Sequence, residues 1–452
     1  MGLSIVLLAA GEGKRMKTDK PKPLVTLADQ PMIQYSIDTA MALEPERMVL
    51  VTGHKKDEVK KYVISHNRGD YIFCEQKERL GTGHAVKQAV PYLPDNGKTL
   101  ILYADVPLVT AKTLKKLVTS CNRKKLSILT SVVKNPKWYG RIVRDDKKQP
   151  LLIREEADAS SIEKTINEIF TGIMIADNEF LKKGLNGLVR NNKAGEYYLT
   201  DLVEYASKRQ SKIGSSAAEP REILGANNKE ELSYLYQALV SLNIEAAKKK
   251  GAIFKDEKTC YVEGDLKVGK DVSIGSNVTI KGKVTLGDDV RIASNVVLTN
   301  SKIGNFSEIK EFCSVENSVI AKNVEVGPFA RLRNGAVLDD SSKVGNFVEI
   351  KKSKIGQGSK ANHHAYLGDA NIGKKVNIGA GTITCNYDGK EKHKTKIDDG
   401  SFVGTNTSLV APLKIGKKAY VAAGSVITTN VPSESLAFGR AKQKTKKNWK
   451  KK

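Results

Sequence analysis

The stretch VEGDLK VGKDVS IGSNVT IKGKVT LGDDVR I, residues 262–292, carries an aliphatic residue at every sixth position: Val262, Val268, Ile274, Ile280, Leu286 and Ile292. Leu298 continues the run, and the beat recurs at Ile320, Val326, Leu332, Leu338, Val344 and Ile350, then at Ile397, Val403, Leu409, Ile415, Val421 and Ile427. A fixed short period marks a solenoid. A helix needs apolar spacing near 3.6 and a half-buried strand needs 2. A period of six fits neither alone. It fits a coil of three short strands joined by tight turns and stacked into a parallel β-helix, with each aliphatic residue pointing into the prism. Gly follows the aliphatic residue repeatedly (Gly269, Gly275, Gly287, Gly345, Gly404, Gly416), where it relieves crowding at a corner. Ordinary hairpins with chance spacing would not keep a period of six within each of three blocks. The beat is expected to break at Gln357–Ala365, before Leu367 restores it, and again from Thr384 to Lys396. Segments that leave a solenoid often carry its binding surface.

Upstream, the pattern changes. Ser4–Ala9, Met48–Thr52 and Thr99–Tyr103 are short apolar runs, and Pro31–Leu43 and Ala111–Ser120 between them read as helices. This alternation predicts an α/β layer fold, Rossmann-like, with a mostly parallel sheet. Its ligands would bind at the carboxyl ends of the strands. From Lys229 to Gly251, Leu232, Leu235, Leu239 and Leu242 form one helical stripe closed by a glycine. The expected organisation is a domain over 1–228, a connecting helix over 229–250, and the solenoid with a basic tail over 251–452.

A chain of 452 residues is long enough for two to four domains. No run approaches the ~20 apolar residues of a membrane helix, and the apolar start lacks the basic flank of a signal peptide. The five cysteines, Cys74, Cys121, Cys260, Cys313 and Cys385, form no CxxC pair, which suits reduced thiols in the cytoplasm and opposes a cysteine zinc site. The net charge of +25 raises a nucleic-acid partner. The basic residues are spread along the whole chain and accompany no nucleic-acid motif, so no nucleic-acid partner is expected. Their densest cluster, the tail Lys442–Lys452, reads as a solvated segment. A basic protein also attracts phosphorylated substrates.

LAAGEGKRM, residues 8–16, follows the first strand directly. Gly11 and Gly13 let backbone approach a phosphate chain, and Arg15 can fork onto phosphate oxygens. A bare Gly-x-Gly is weak evidence, but Pro21-Lys22-Pro23-Leu24 follows. Together these resemble the sugar-1-phosphate nucleotidyltransferases, whose signature is L-A-A-G-x-G-x-R-M followed by P-K-x-L. The resemblance implies a UTP and UDP-sugar site formed by Leu8, Ala9, Ala10, Gly11 and Lys22, with Gln76, Gly81 and Thr82 reading the uridine. Tyr103, Ala104 and Asp105 continue that site. Asp105 and Asn227 are the implied ligands of Mg²⁺, a cation that takes few protein ligands. Asp105 could otherwise be a helix cap, and His84 reads as a structural histidine at a helix start. The implied sugar contacts are Gly140, Glu155 and residues 195–201. The family's E-I-N-T-G is here Glu168-Ile169-Phe170-Thr171-Gly172, and Ala104 replaces the family's usual glycine. These departures bear on which sugar is used more than on the reaction. Lys22 and Arg15 are the candidate catalytic cations.

In the solenoid, ANHHAYLGD (361–369) and NIGAGTITCNYDG (377–389) resemble the bacterial bifunctional enzymes that make UDP-N-acetylglucosamine. That resemblance covers about residues 3–445. It implies His363 as the base that takes an ammonium proton during acetyl transfer, a task matched to the histidine pKa range. It implies Arg333, Lys351, Tyr366 and Asn377 around the amino-sugar phosphate. Ala380, Asn386, Tyr387, Thr405, Ala423 and Arg440 would line the acetyl-CoA site. Cys385 reads as a packed thiol and not an acyl carrier. The implied substrates are glucosamine-1-phosphate, acetyl-CoA and UTP, the implied assembly is a homotrimer with no membrane insertion, and the product serves cell-wall building. Three alternatives stay open at this stage: another sugar-1-phosphate, loss of one of the two activities, or a basic RNA-binding protein.

Overall fold

The computed structural model describes residues 2–447 and 449. It divides into two compact units, Met1–Ala238 and Leu239–Lys452, and the division falls inside the helix Lys229–Lys249.

The first unit is built on a twisted sheet. Its strand order is Ile213–Ala217, Leu126–Val132, Glu168–Asp177, Lys98–Tyr103, Leu3–Ala9, Arg47–Thr52 and Tyr71–Glu75. All neighbours on this path run parallel except Glu168–Asp177, which is antiparallel to both its partners. Alternation along the strands feeds two cores. Val6 and Leu8 point to one face with Val49, Val51 and Ile101; Ile5, Leu7 and Ala9 point to the other with Leu50, Leu100 and Leu102. Helices cover both faces, which is why these strands are apolar throughout. The expected helices form as Met32–Met41, two residues shorter at its C-terminal end than the pattern suggested, and Ala111–Ser120, capped by the Thr110 side chain.

The second unit is a parallel β-helix. Every residue of the beat in its three quoted blocks is buried except Val268, in the first block, which is half-buried. Each such Val, Leu or Ile contributes ~2 kcal/mol by leaving water. Neighbouring coils pair eighteen or seventeen residues apart, as Asp265 with Lys283 and Thr285 with Lys302. The shorter coils explain why the beat slips by one between blocks. Each slip falls at one corner, where Asn300, Asn317, Lys352 or Asp369 turns the chain through positive φ.

The expected break at Gln357–Ala365 is a misreading. Lys360–Gly368 is one continuous strand, paired in register with Lys343–Lys351. Ala361, 1 % exposed, takes the inward position between Val344 and Ile378. The beat continues there with a residue too small to be seen in an aliphatic pattern. The second break is genuine. Thr384 holds an inward position, and the chain then leaves the prism before Thr395–Ile397 rejoins it; Tyr387 and Lys392 form an antiparallel bridge within the excursion.

Cys74, Cys121, Cys260 and Cys313 are buried free thiols; Cys385 is half-buried, so it is less enclosed than expected. In the tail, Lys442, Lys444, Lys446 and Lys447 are exposed, and Lys450, Lys451 and Lys452 lie outside the described residues. Among the described residues no helix is long and apolar enough to cross a membrane.

Candidate functional site

The carboxyl ends of the central strands bring the first set of predicted residues together. Ala10 and Gly11 leave strand Leu3–Ala9, Gln76 follows Tyr71–Glu75, and Ala104–Asp105 follow Lys98–Tyr103. Leu8, Ala9, Ala10, Gly11, Lys22, Gln76, Gly81, Thr82, Tyr103, Ala104 and Asp105 all line one cavity of ≈270 Å³. Gly81 opens the helix Thr82–Ala89 at φ 101°, and a Cβ there would stand 2.6 Å from the Tyr197 carbonyl oxygen. No other residue fits that turn. Gln76 donates to the Gly81 carbonyl (3.1 Å), and Thr82 accepts from the Leu199 N–H (3.2 Å). His84 sits between the side chains of Gln76 and Gln88 and stacks near Tyr197, as a structural histidine would.

Lys22 stands at the centre. The glycine-rich loop closes over its stem: Gly13, at φ 76°, would place a Cβ 2.9 Å from that of Lys22. The buried ammonium pairs with Asp105 Oδ2 and donates to Asn227 Oδ1 at 2.7 Å. Asn227 is held in turn, giving its backbone N–H and its side-chain amide to Glu231 (2.7 and 3.0 Å). One carboxylate and one amide oxygen thus converge on a single positive charge. Hard oxygen donors of this kind and number suit Mg²⁺, which keeps most of its waters.

A second cavity of ≈690 Å³ shares Tyr103 and Asp105 with the first, and adds Arg15, Tyr139, Thr171 and Asn227. Gly140 and Glu155 line neither cavity. They stand together beside it: a Cβ on Gly140 would lie 3.5 Å from Glu155 Oε2. Burial pushes the Glu155 carboxyl up, although it accepts from Thr200 Oγ1 at 3.0 Å. Nearby Asp201 is pushed up to about 6 by burial and then by the Glu204 charge. Phe170 does not face the second cavity. It is 6 % exposed and belongs to the apolar core with Ile142, Ile153 and Leu199. Sequence reasoning missed Arg79, which lines the first cavity and pairs with Glu12 across the glycine-rich loop. A lone exposed arginine gives no pattern to find it by.

In the β-helix the predicted residues fall into two groups. His363 stands in register with Asn346, and its Nδ1 lies 2.9 Å from Asn346 Oδ1. An Nδ1–H donated to that amide oxygen leaves the Nε2 lone pair to take a proton. The same column, read up the prism through Ala361, Ile378, Val403 and Val421, places Ala380, Thr405 and Ala423 above His363 on successive coils. Arg440 ends this column beside Gly424, and Asn377 lies on the same face between Lys360 and Phe402.

The second group occupies the next face. Arg333, Lys351 and Gly368 pair in turn, and the Tyr366 hydroxyl crosses over Gly368, where a Cβ would meet it at 2.5 Å. Arg333 forks onto Glu349 (2.7 and 2.6 Å). Lys351 loses proton affinity to the nearby Lys392 ammonium first, then to desolvation, and after that to Arg333. Lys392 comes from the excursion, and sequence reasoning missed it. Three cations so close favour a doubly charged phosphate. Asn386 donates to Asp369 at 2.5 Å, and Tyr387 OH to the Gly389 carbonyl at 2.7 Å. From the corner at Phe347 to Lys351 the chain is extended, so the two groups stand roughly 13 Å apart along one prism.

Comparison with known proteins agrees with this division. A MobA-like NTP transferase domain model matches residues 5–168, a GMPPB C-terminal domain model 257–344, and a hexapeptide repeat of succinyl-transferase model 394–429. The protein named "Bifunctional protein GlmU" of Idiomarina loihiensis is 46 % identical over 99 % of this chain and 98 % of its own length. Those of Thermosipho melanesiensis and Acinetobacter baumannii are 45 % and 44 % identical, again over 99 % of this chain and over 97 % and 98 % of their own. At these identities over essentially its full length, the chain belongs to the family of the bifunctional GlmU proteins.

Proposed function

We infer that the two candidate sites carry the two reactions of UDP-N-acetylglucosamine synthesis, one in each half. The chain is a bifunctional uridylyltransferase and acetyltransferase. The convergence of Lys22, Asp105 and Asn227 beside a nucleotide-sized cavity carries the reading for the first half.

In uridylyl transfer a phosphate oxygen of N-acetylglucosamine-1-phosphate bonds to the α-phosphorus of UTP, and the bond to pyrophosphate breaks. The attacker is already an anion, so no strong base is needed. The obstacle is repulsion between anions and charge on the leaving group. Lys22 and Arg15 offset both, acting from a partly enclosed site where charge is poorly screened. Asp105 and Asn227 would hold Mg²⁺, which supplies further positive charge to the phosphate oxygens. Gln76, Gly81 and Thr82 would hold the uridine.

In acetyl transfer the amine of glucosamine-1-phosphate bonds to the thioester carbonyl carbon of acetyl-CoA. The C–S bond then breaks and the thiolate leaves. His363 Nε2 takes the proton that the nitrogen loses, with Asn346 holding the ring in the right tautomer. Arg333, Lys351 and Lys392 would hold the sugar phosphate, and the column Ala380, Thr405, Ala423 and Arg440 would hold coenzyme A. The two groups stand apart on one prism. A second prism alongside would bring one group from each copy into a single cleft, which suits a homotrimer; the free thiols suit the cytoplasm.

The test is pyrophosphate release by the purified protein with Mg²⁺ and UTP against a panel of sugar-1-phosphates. N-acetylglucosamine-1-phosphate should be strongly preferred, because the unusual Phe170 is spent on the core. Preference for another sugar would overturn the substrate assignment. A monomer by light scattering would overturn the shared cleft.

A further inference from the structure

Trp138 is a large aromatic residue in a conformation that disfavours it. Its φ is 75°, and its indole is 78 % exposed. A bulky side chain in the left-handed region is strained, and such strain persists only where the surroundings impose it. Here they do. The Trp138 backbone N–H is donated to the Glu156 carboxylate. The following carbonyl, on Tyr139, accepts from Arg141, and Arg141 is itself 2 % exposed and paired with Glu156 at 2.5 Å. The turn before it is closed by Tyr139 N–H to the Pro136 carbonyl at 3.1 Å. An ion pair whose arginine is buried thus fixes the turn, and none of these bonds uses the indole. Burial gains nothing from it either. The Lys137 ammonium lies over its ring at 5.0 Å from the centroid.

The indole does line the ≈690 Å³ cavity. The cavity's lining includes the polar side chains of Arg15, Asp105 and Asn227 and the aromatic residues Trp138 and Tyr139. A sugar phosphate has the same two characters: an anionic group, and a pyranose ring with an apolar C–H face that packs on an aromatic plane. We propose that Trp138 is the stacking platform for the sugar ring of the sugar-1-phosphate, held at the cavity rim by the Arg141–Glu156 clamp. This rests on the uridylyltransferase reading of the first half and adds the residue that grips its second substrate.

Trp138→Gly separates this from a structural role, because glycine accepts φ 75° freely and removes only the indole. The expected result is unchanged or higher thermal stability, a KM for N-acetylglucosamine-1-phosphate raised about tenfold, and an unchanged KM for UTP. Trp138→Phe should recover most of the loss. A second readout uses fluorescence, since Trp138 and Trp449 are the two tryptophans of the chain. In a Trp449→Phe background, UDP-N-acetylglucosamine should shift the emission and UTP should not. An unchanged sugar KM in Trp138→Gly, or an emission deaf to UDP-N-acetylglucosamine in an active enzyme, would overturn the platform alone. Absence of uridylyl transfer in the unaltered chain with every sugar-1-phosphate would overturn the underlying reading, and the platform with it.

Discussion

Lys22 and His363 stand at the centres of the two candidate sites, and their surroundings differ in kind. Lys22 is buried, and its partners Asp105 and Asn227 lie 83 and 205 residues away in sequence. His363 is exposed, and its partner Asn346 lies 17 residues away, one coil below. A doubly wound sheet gathers loops from distant strands at one edge, so it makes cavities and can hold a charge out of water. A β-helix sets each residue above its counterpart in the previous coil, so by itself it makes columns on a surface. A cleft there needs an excursion, such as the one carrying Lys392, or a second prism.

The comparison breaks most sharply if the two centres depend on each other. Asp105→Ala should cost uridylyl transfer about a thousandfold, by removing the carboxylate that would hold Mg²⁺ at the phosphates, and leave acetyl transfer intact. His363→Ala should cost acetyl transfer about a thousandfold through loss of the base, and leave pyrophosphate release intact. The paired assays are pyrophosphate release and free thiol released from acetyl-CoA. Loss of both activities from one folded variant would break the two-site account.

The next effect concerns the packed core against the stacked columns. Phe170→Asn removes a buried ring from among Ile142, Ile153 and Leu199 and leaves an amide in its place. It should destabilise the first unit by about 3 kcal/mol, without improving sugar use. In the β-helix, Thr384→Val restores an aliphatic residue to the beat, yet it removes the hydroxyl that accepts the Gly368 N–H at 2.7 Å. That leaves a buried donor unpaired, for a cost of about 1 kcal/mol. Calorimetry of the full chain should show each loss in a different transition, because multi-domain unfolding resolves by unit. A Thr384→Val variant more stable than the parent would mean the beat alone decides that position.

These residues also mark what the sequence could and could not tell. The period of six was legible because every coil spends its aliphatic residues on the same inward positions. Ala361 and Thr384 hold two of those positions with residues that carry no aliphatic signal, so the pattern shows a false gap at 357–365 and opens the true gap, which follows Thr384, one residue early. The glycine-rich loop and Lys22 were legible as a local motif. The meeting of Lys22 with Asn227 was not legible by spacing, since the sheet makes it. Lys392 and Arg79 were hidden because one cation in a basic chain of net charge +25 has no distinguishing neighbourhood in one dimension. In sequence, Phe170 stands where the family's motif has a sugar-contacting asparagine. The structure places its ring in the core, where shape and not hydrogen bonding governs it.

Two aspartates give the smallest effect, and opposite signs. Asp201, in the first unit, is pushed up to about 6, chiefly by burial. Its folded form therefore binds a proton more readily than the unfolded chain, and stability falls as pH rises from about 4 to about 6. Asp388, in the β-helix excursion, is held low, first by the Glu391 backbone N–H and then by His393 and the Lys390 N–H. Its contribution is present above the ordinary carboxylate range and is lost as pH falls below it. Asp201→Asn should thus raise the melting temperature of the first unit at pH 7.5 and leave it unchanged at pH 4. Asp388→Asn should lower the stability of its excursion at pH 7.5, read by amide exchange of residues 386–393, with the difference closing only at lower pH. Asp201 is partly open to water and the Asp388 side chain about half open, and screening keeps both effects small. If Asp201→Asn gave no gain at pH 7.5, the carboxyl would be solvated well enough to ionise freely. The first site would then share the open character of the second, and the contrast between enclosed and stacked chemistry would weaken at the residue where it is easiest to titrate.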